Sequence, residues 1–195
     1  MAGNTFDYPF LHGKAIQHAG GYSYVSCSSE TLESGSVLPD GYAMVDYIAG
    51  AEHAALSPRV CDVLRSYLDR GGRLLLSGSC LGARQADPRF LQEVLRCSYG
   101  GSLPPGTGGA VHGNRLQLSF PRQLNSQTYA VPFPECLQPV GDAFTPLVYT
   151  AEGYSAAVAA PGRSYVMGFP FESITDPAAR DRLMQSVLQF LVPTK

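Results

Sequence analysis

The sequence has no tryptophan, and only 15% of its 195 residues are charged. Its 14 basic residues form no cluster and the formal net charge is -2. That leaves no electrostatic footprint for nucleic acid or an anionic membrane surface. No apolar run approaches the about 20 residues that span a bilayer, so no membrane insertion is expected. The opening residues, Met1-Ala2-Gly3-Asn4-Thr5-Phe6-Asp7, have no basic region followed by an apolar one and do not read as a signal peptide. The sequence contains no C-x-x-C pair, and Cys27, Cys61, Cys80, Cys97 and Cys136 form no zinc-spaced cluster with histidine. Mostly free, buried thiols are expected, with room for one disulfide. Gly108-Gly109 is not followed by G-K-[ST], which excludes a phosphate loop. Neither a metal nor a cofactor is expected.

What is present centres on Gly72 to Gly82. Arg73 to Leu76 is a short apolar run bounded by glycines, the pattern of a buried parallel strand. It runs into Gly78-Ser79-Cys80-Leu81-Gly82, a G-x-C-x-G pattern. In a nucleophile elbow the middle residue occupies a strained strand-to-helix turn, and flanking glycines let backbone pack closely. A thiol there lies near the free N–H groups of a following helix, which favours the thiolate. The plainer alternative is an ordinary βα turn holding a small buried thiol.

Around this stretch, strand and helix patterns alternate in the first half. Residues 9–19 read as a helix ended by Gly20-Gly21, carrying His12 and His18 as surface or capping residues. Tyr22 to Ser26 reads as a strand, and Ser28 or Ser29 as the cap of a short helix over Glu30 to Glu33. Ala43 to Ala49 is the next strand, with Asp46 out of place among apolar neighbours, followed by Gly50-Ala51-Glu52-His53. Ser57-Pro58 starts a helix whose apolar face is Val60, Val63, Leu64, Tyr67 and Leu68. Asp87-Pro88 starts another, with Phe90, Leu91, Val94 and Leu95 facing the core. This alternation predicts an α/β fold with a doubly wound, mostly parallel sheet. Beyond the loop over residues 100–109, short runs at Ala110–Val111, Arg115–Phe120, Tyr129–Val131 and Leu147–Thr150 predict an antiparallel β-extension. A hairpin over residues 156–167 and a final helix capped by Asp176-Pro177 complete one domain.

Three features together resemble the class I glutamine amidotransferase-like (flavodoxin-like) fold: the strand ending at Gly50, the G-x-C-x-G at Cys80, and the late Gly168-Phe169-Pro170-Phe171-Glu172. The resemblance implies Cys80 as the nucleophile and an oxyanion site around Gly50, Ala51, Ser79 and Leu81. It also implies a His and a Glu from a G-x-x-F-H-P-E segment. Gly168 and Phe171 match that segment, but Glu172 stands where the family has its histidine, so the triad is degenerate. Segments including Pro9 to Gly13, Tyr22 to Ser28, Val45 to Gly50, Gly71 to Gly78 and Gly168 to Ile174 resemble a domain of secreted Bacteroidetes proteins labelled xanthan lyase or golvesin-domain proteins. That likeness implies a secreted or periplasmic setting and an excised domain whose partners are neighbouring domains of a longer chain.

Three functions follow. One is a non-catalytic module binding a glycan or peptide in the old crevice, with Tyr8, Tyr22, Tyr99 and Tyr154 as candidate stacking surfaces. Another is a cysteine hydrolase acting on an amide or ester through Cys80, with His53 as base, His112 as the next candidate, and Glu172 orienting the histidine or a water. A polysaccharide lyase is the third, with Arg84 the one cation expected near the crevice. Apart from catalysis, Glu172 is also a candidate to bind backbone N–H groups and fix the turn before the last helix.

Overall fold

The computed structural model describes residues 8–52, 56–83, 87, 89–113, 115–123 and 130–192. The chain begins with α1 (Tyr8–Ala19) and α2 (Ser29–Glu33), then β1 (Val45–Gly50), α3 (Pro58–Asp69) and β2 (Leu74–Gly78). β3 (Cys97–Ser102), β4 (Ala110–Gly113), β5 (Leu116–Ser119), β6 (Glu135–Pro139) and β7 (Phe144–Tyr149) follow. The hairpin β8 (Ser155–Ala160) and β9 (Ser164–Met167) leads to α4 (Pro177–Leu191). The helix starts are set by local chemistry: Ser28, Ser57 and Asp176 each accept a hydrogen bond from a first-turn amide, and Pro58 and Pro177 open their helices.

Seven strands form one sheet in the order β1-β2-β9-β8-β7-β4-β5, and β3 pairs with β6 in a second. The large sheet is not mostly parallel. Only β1–β2 and β2–β9 run parallel, while β9–β8, β8–β7, β7–β4 and β4–β5 are antiparallel. The expected β-extension therefore makes up most of the sheet, because hairpin connections, not helical crossovers, join its strands.

The central strands β2, β9 and β8 are buried on both faces, while β4 and β5 expose alternate residues, and the strands sort their side chains by the two-residue period. Leu74 and Leu76 of β2 and Val166 of β9 pack with Val60, Leu64 and Leu68 of α3. Leu75, Tyr165 and Met167 face the opposite way, onto Ile16 of α1 and Leu183, Val187 and Leu191 of α4. The carboxyl ends of β1, β2 and β9 thus lie side by side, with helical layers above and below.

Two further expectations fail. Tyr22 to Ser26 alternates like a strand but forms no ladder; it has no regular structure and is largely exposed. The helix expected after Asp87 is a single π turn, Phe90–Val94, closed by a bond from the Leu95 amide to the Phe90 carbonyl. Arg96 at φ +57 then turns the chain directly into β3. Phe90, Leu91, Val94 and Leu95 are buried as their spacing implies.

Candidate functional site

The site is built where β1 and β2 end. β2 runs through Leu74, Leu75 and Leu76, all fully buried, to Gly78. A Cβ on Gly78 would lie 2.8 Å from the Ala49 Cβ and 2.9 Å from the Gly50 carbonyl oxygen, so only glycine lets the strands converge here. Gly50 itself has φ +58, and its carbonyl accepts a 2.8 Å hydrogen bond from the Ser79 amide. Cys80 then adopts φ +66, a left-handed conformation uncommon outside glycine and the mark of a strained turn. The thiol is half-buried. Gly82 packs against Tyr99 of β3, where a Cβ would meet the tyrosine Cβ at 2.5 Å.

The amides around this turn are already engaged. The Gly82 and Ala83 amides donate to the two carboxylate oxygens of Glu135, at 2.8 and 2.9 Å, and the Leu81 amide is directed to the same group. Of the residues expected to hold an oxyanion, Ser79 therefore donates to Gly50, and Leu81 faces Glu135. Gly50 and Ala51 line the end of β1.

Beside the elbow, three groups from distant parts of the chain meet. His12 of α1 is 2% exposed. Its Nδ1 lies 2.7 Å from Asp46 Oδ2 and its Nε2 3.2 Å from Glu172 Oε2. Glu172 sits in the 3-10 turn after β9, almost fully buried. Phe171 stacks at a tilt on the His12 ring, 4.6 Å between centroids. Burial alone would push the His12 pKa down. The charge of Asp46, the Asp46 hydrogen bond and the Glu172 contacts outweigh it and raise the pKa to about 9. His12 is thus an imidazolium at neutral pH, held between two carboxylates.

That assignment gives stability a definite pH dependence. A histidine whose pKa rises on folding contributes fully below its unfolded value of about 6.5 and loses the contribution as pH climbs through about 9. Urea unfolding at pH 6, 7.5 and 9.5 should show stability falling across this window by about 3 kcal/mol. A flat profile would remove the imidazolium from the structure.

His12 was expected as a surface or capping residue and Asp46 at a sheet edge or a helix N-terminus, and Glu135 was assigned no role. The signal for the cluster was indirect: Asp46 in an apolar strand and Glu172 at a strand end are two acids that need a positive partner. Glu172 faces the His12 ring, which makes it a member of this cluster. His112 lies on β4, exposed, with Nδ1 3.1 Å from the Thr150 hydroxyl. β4 is four strand spacings from β2, about 19 Å, so His112 does not reach Cys80. His18 pairs at 2.7 Å with Asp181 of α4 on the surface. His53 and Arg84 lie outside the described residues. Tyr99 packs on Gly82 and Tyr8 lies beside Gly50, while Tyr154 is exposed elsewhere and the Tyr22 hydroxyl donates to the Val192 carbonyl. The five cysteines are thiols, three of them buried. Among the described residues no group of His, Cys, Asp or Glu is placed to hold a metal ion.

No family model and no curated protein matches the sequence. Among solved structures, the chain is similar to a candidate GMP synthase subunit of Thermoplasma acidophilum. The TM-score is 0.57 at 13% identity, over 96% of this chain and 90% of that one. The likeness is one of fold: the chain shares the mixed α/β architecture of that structure.

Proposed function

We propose that the chain is a non-catalytic, amidotransferase-like binding module of an exported multidomain protein, taking a glycan or peptide in the crevice at Cys80. One observation carries this reading: Glu172, standing where the family has its histidine, is tied into the buried cluster with His12 and Asp46. Both nitrogens of His12 are engaged by carboxylates, so it has no lone pair to accept a thiol proton. A buried carboxylate is a poor substitute for the histidine, because like charge opposes the thiolate. The half-exposed tyrosines Tyr8 and Tyr99 offer apolar faces at the crevice rim, suited to a sugar ring or a peptide side chain.

A second reading, a cysteine-dependent hydrolase of amides or esters, draws on the left-handed Cys80 turn. With His12, His18 and His112 committed elsewhere, it requires His53 as the base. A lyase would need a cation beside a uronate, a role for which the sequence offers Arg84.

The rate of Cys80 alkylation against pH, read by peptide mass spectrometry with exposed Cys27 as the internal control, separates the readings. The module reading expects Cys80 to label no faster than Cys27, with an apparent pKa near the free value of about 8.5. Labelling at least tenfold faster at pH 7, lost on His53→Ala, would overturn it in favour of the hydrolase.

A further inference from the structure

The Leu81, Gly82 and Ala83 amides all point into one concavity directly after Cys80. Successive amides of this kind form a nest for an anion. In a nucleophile elbow the first of them serves the oxyanion of the reacting acyl group. We propose that this nest is an oxyanion site closed by the chain's own carboxylate, with Glu135 as its resident anion and as the positioning residue of the Cys80 turn.

The geometry is that of a captured ligand. Each Glu135 oxygen takes its own amide, Oε2 from Gly82 and Oε1 from Ala83. The residue is fully buried. Its backbone is fixed as firmly as its side chain: the Glu135 amide donates to the Gly168 carbonyl at 2.7 Å, and its carbonyl accepts from the Tyr149 hydroxyl at 2.9 Å. β6 thereby links the turn after β2 to the end of β9. Burial raises the Glu135 carboxyl above the ordinary range, against the lowering effect of the Ala83, Gly82 and Leu81 amides. The charge is therefore costly where it sits, and a neutral glutamine of the same shape should be tolerated by the fold.

The inference is independent of which ligand fills the crevice. Cys80 labelling tests the module reading, whereas the Gly82 and Ala83 amides test this one. In the wild-type protein those two amides should exchange with solvent at least 100-fold more slowly than unprotected ones. Glu135→Gln should speed them at least tenfold. In Glu135→Ala the emptied nest should accept acetate, the probe for small carboxylates: the Gly82 and Ala83 amide resonances should shift saturably with acetate and not with equal chloride. The wild-type resonances should stay fixed. Wild-type amides exchanging at solvent rates, or shifting with acetate as the variant does, would overturn the proposal. The wild-type measurement decides the matter even if Glu135→Ala does not fold.

Discussion

His12→Ala is expected to destabilise the protein by about 3–5 kcal/mol, the range for removing one partner from a buried charge cluster. The imidazole is the positive group between Asp46 and Glu172. Without it the buried Glu172 and the partly buried Asp46 face each other across a small cavity. Each then loses its charged partner, which costs stability. Loss of ring packing on Phe171 adds to the effect. For a chain of this size the melting temperature should drop by about 10 °C or more. A double-mutant cycle identifies the cause: adding Glu172→Gln to His12→Ala should cost less than Glu172→Gln alone, since one of the opposed charges has gone. A His12→Ala penalty below about 1 kcal/mol would show that the cluster carries no net electrostatic stabilisation.

The second large effect is expected at Gly168→Ala. Gly168 ends β9 with its amide bonded to the Ala156 carbonyl and its own carbonyl bonded to the Glu135 amide. A Cβ at this position would overlap the carbonyl of Glu135, which is backbone and has no rotamer by which to give way. β6 would have to move away from the end of β9, weakening the Gly168–Glu135 bond and the Tyr149 contact with it. Overpacking costs about 1–3 kcal/mol and each lost hydrogen bond about 1 kcal/mol more, so about 4 kcal/mol is expected. Gly41→Ala is the matched control: its backbone φ is ordinary and nothing lies within 4 Å of the added carbon. Thermal melts should separate the two by about 10 °C. Equal melts would mean that β6 and β9 are not pressed together.

Much of the architecture was legible because it is written locally. Ser57-Pro58 and Asp176-Pro177 announce their helices within two residues, and the apolar spacing in α3 matches its buried face. The β8–β9 hairpin shows in two apolar runs around Pro161-Gly162-Arg163. The elbow shows too, since its G-x-C-x-G pattern lies within five consecutive residues, although the contacts that demand its glycines come from β1 and β3. What was not legible depends on distant pairing. β3 and β6 are glycine- and proline-flanked segments that become strands only by pairing with each other. Tyr22 to Ser26 has the alternation of a strand and no ladder partner in the fold. At the site, His12 meets residues 34 and 160 positions away, and Glu135 meets amides 52 and 53 positions away. No spacing rule links such residues, so histidine on a helix read as surface and glutamate on a strand read as nothing.

The position of β9 between β2 and β8 imposes an order of assembly. β2 pairs with β1 on one side, and its other edge waits for residues 164–167, about ninety positions later. During synthesis at about 5–20 residues per second, that edge, carrying Leu74, Leu75 and Leu76, stays unpaired for several seconds after it leaves the ribosome. α1 likewise lacks Glu172 and the α4 surface until residues 172–191 emerge. Native assembly of this sheet therefore waits until residues 164–191 have been made, and the first half spends that interval with an open apolar strand edge, the feature that most invites intermolecular pairing.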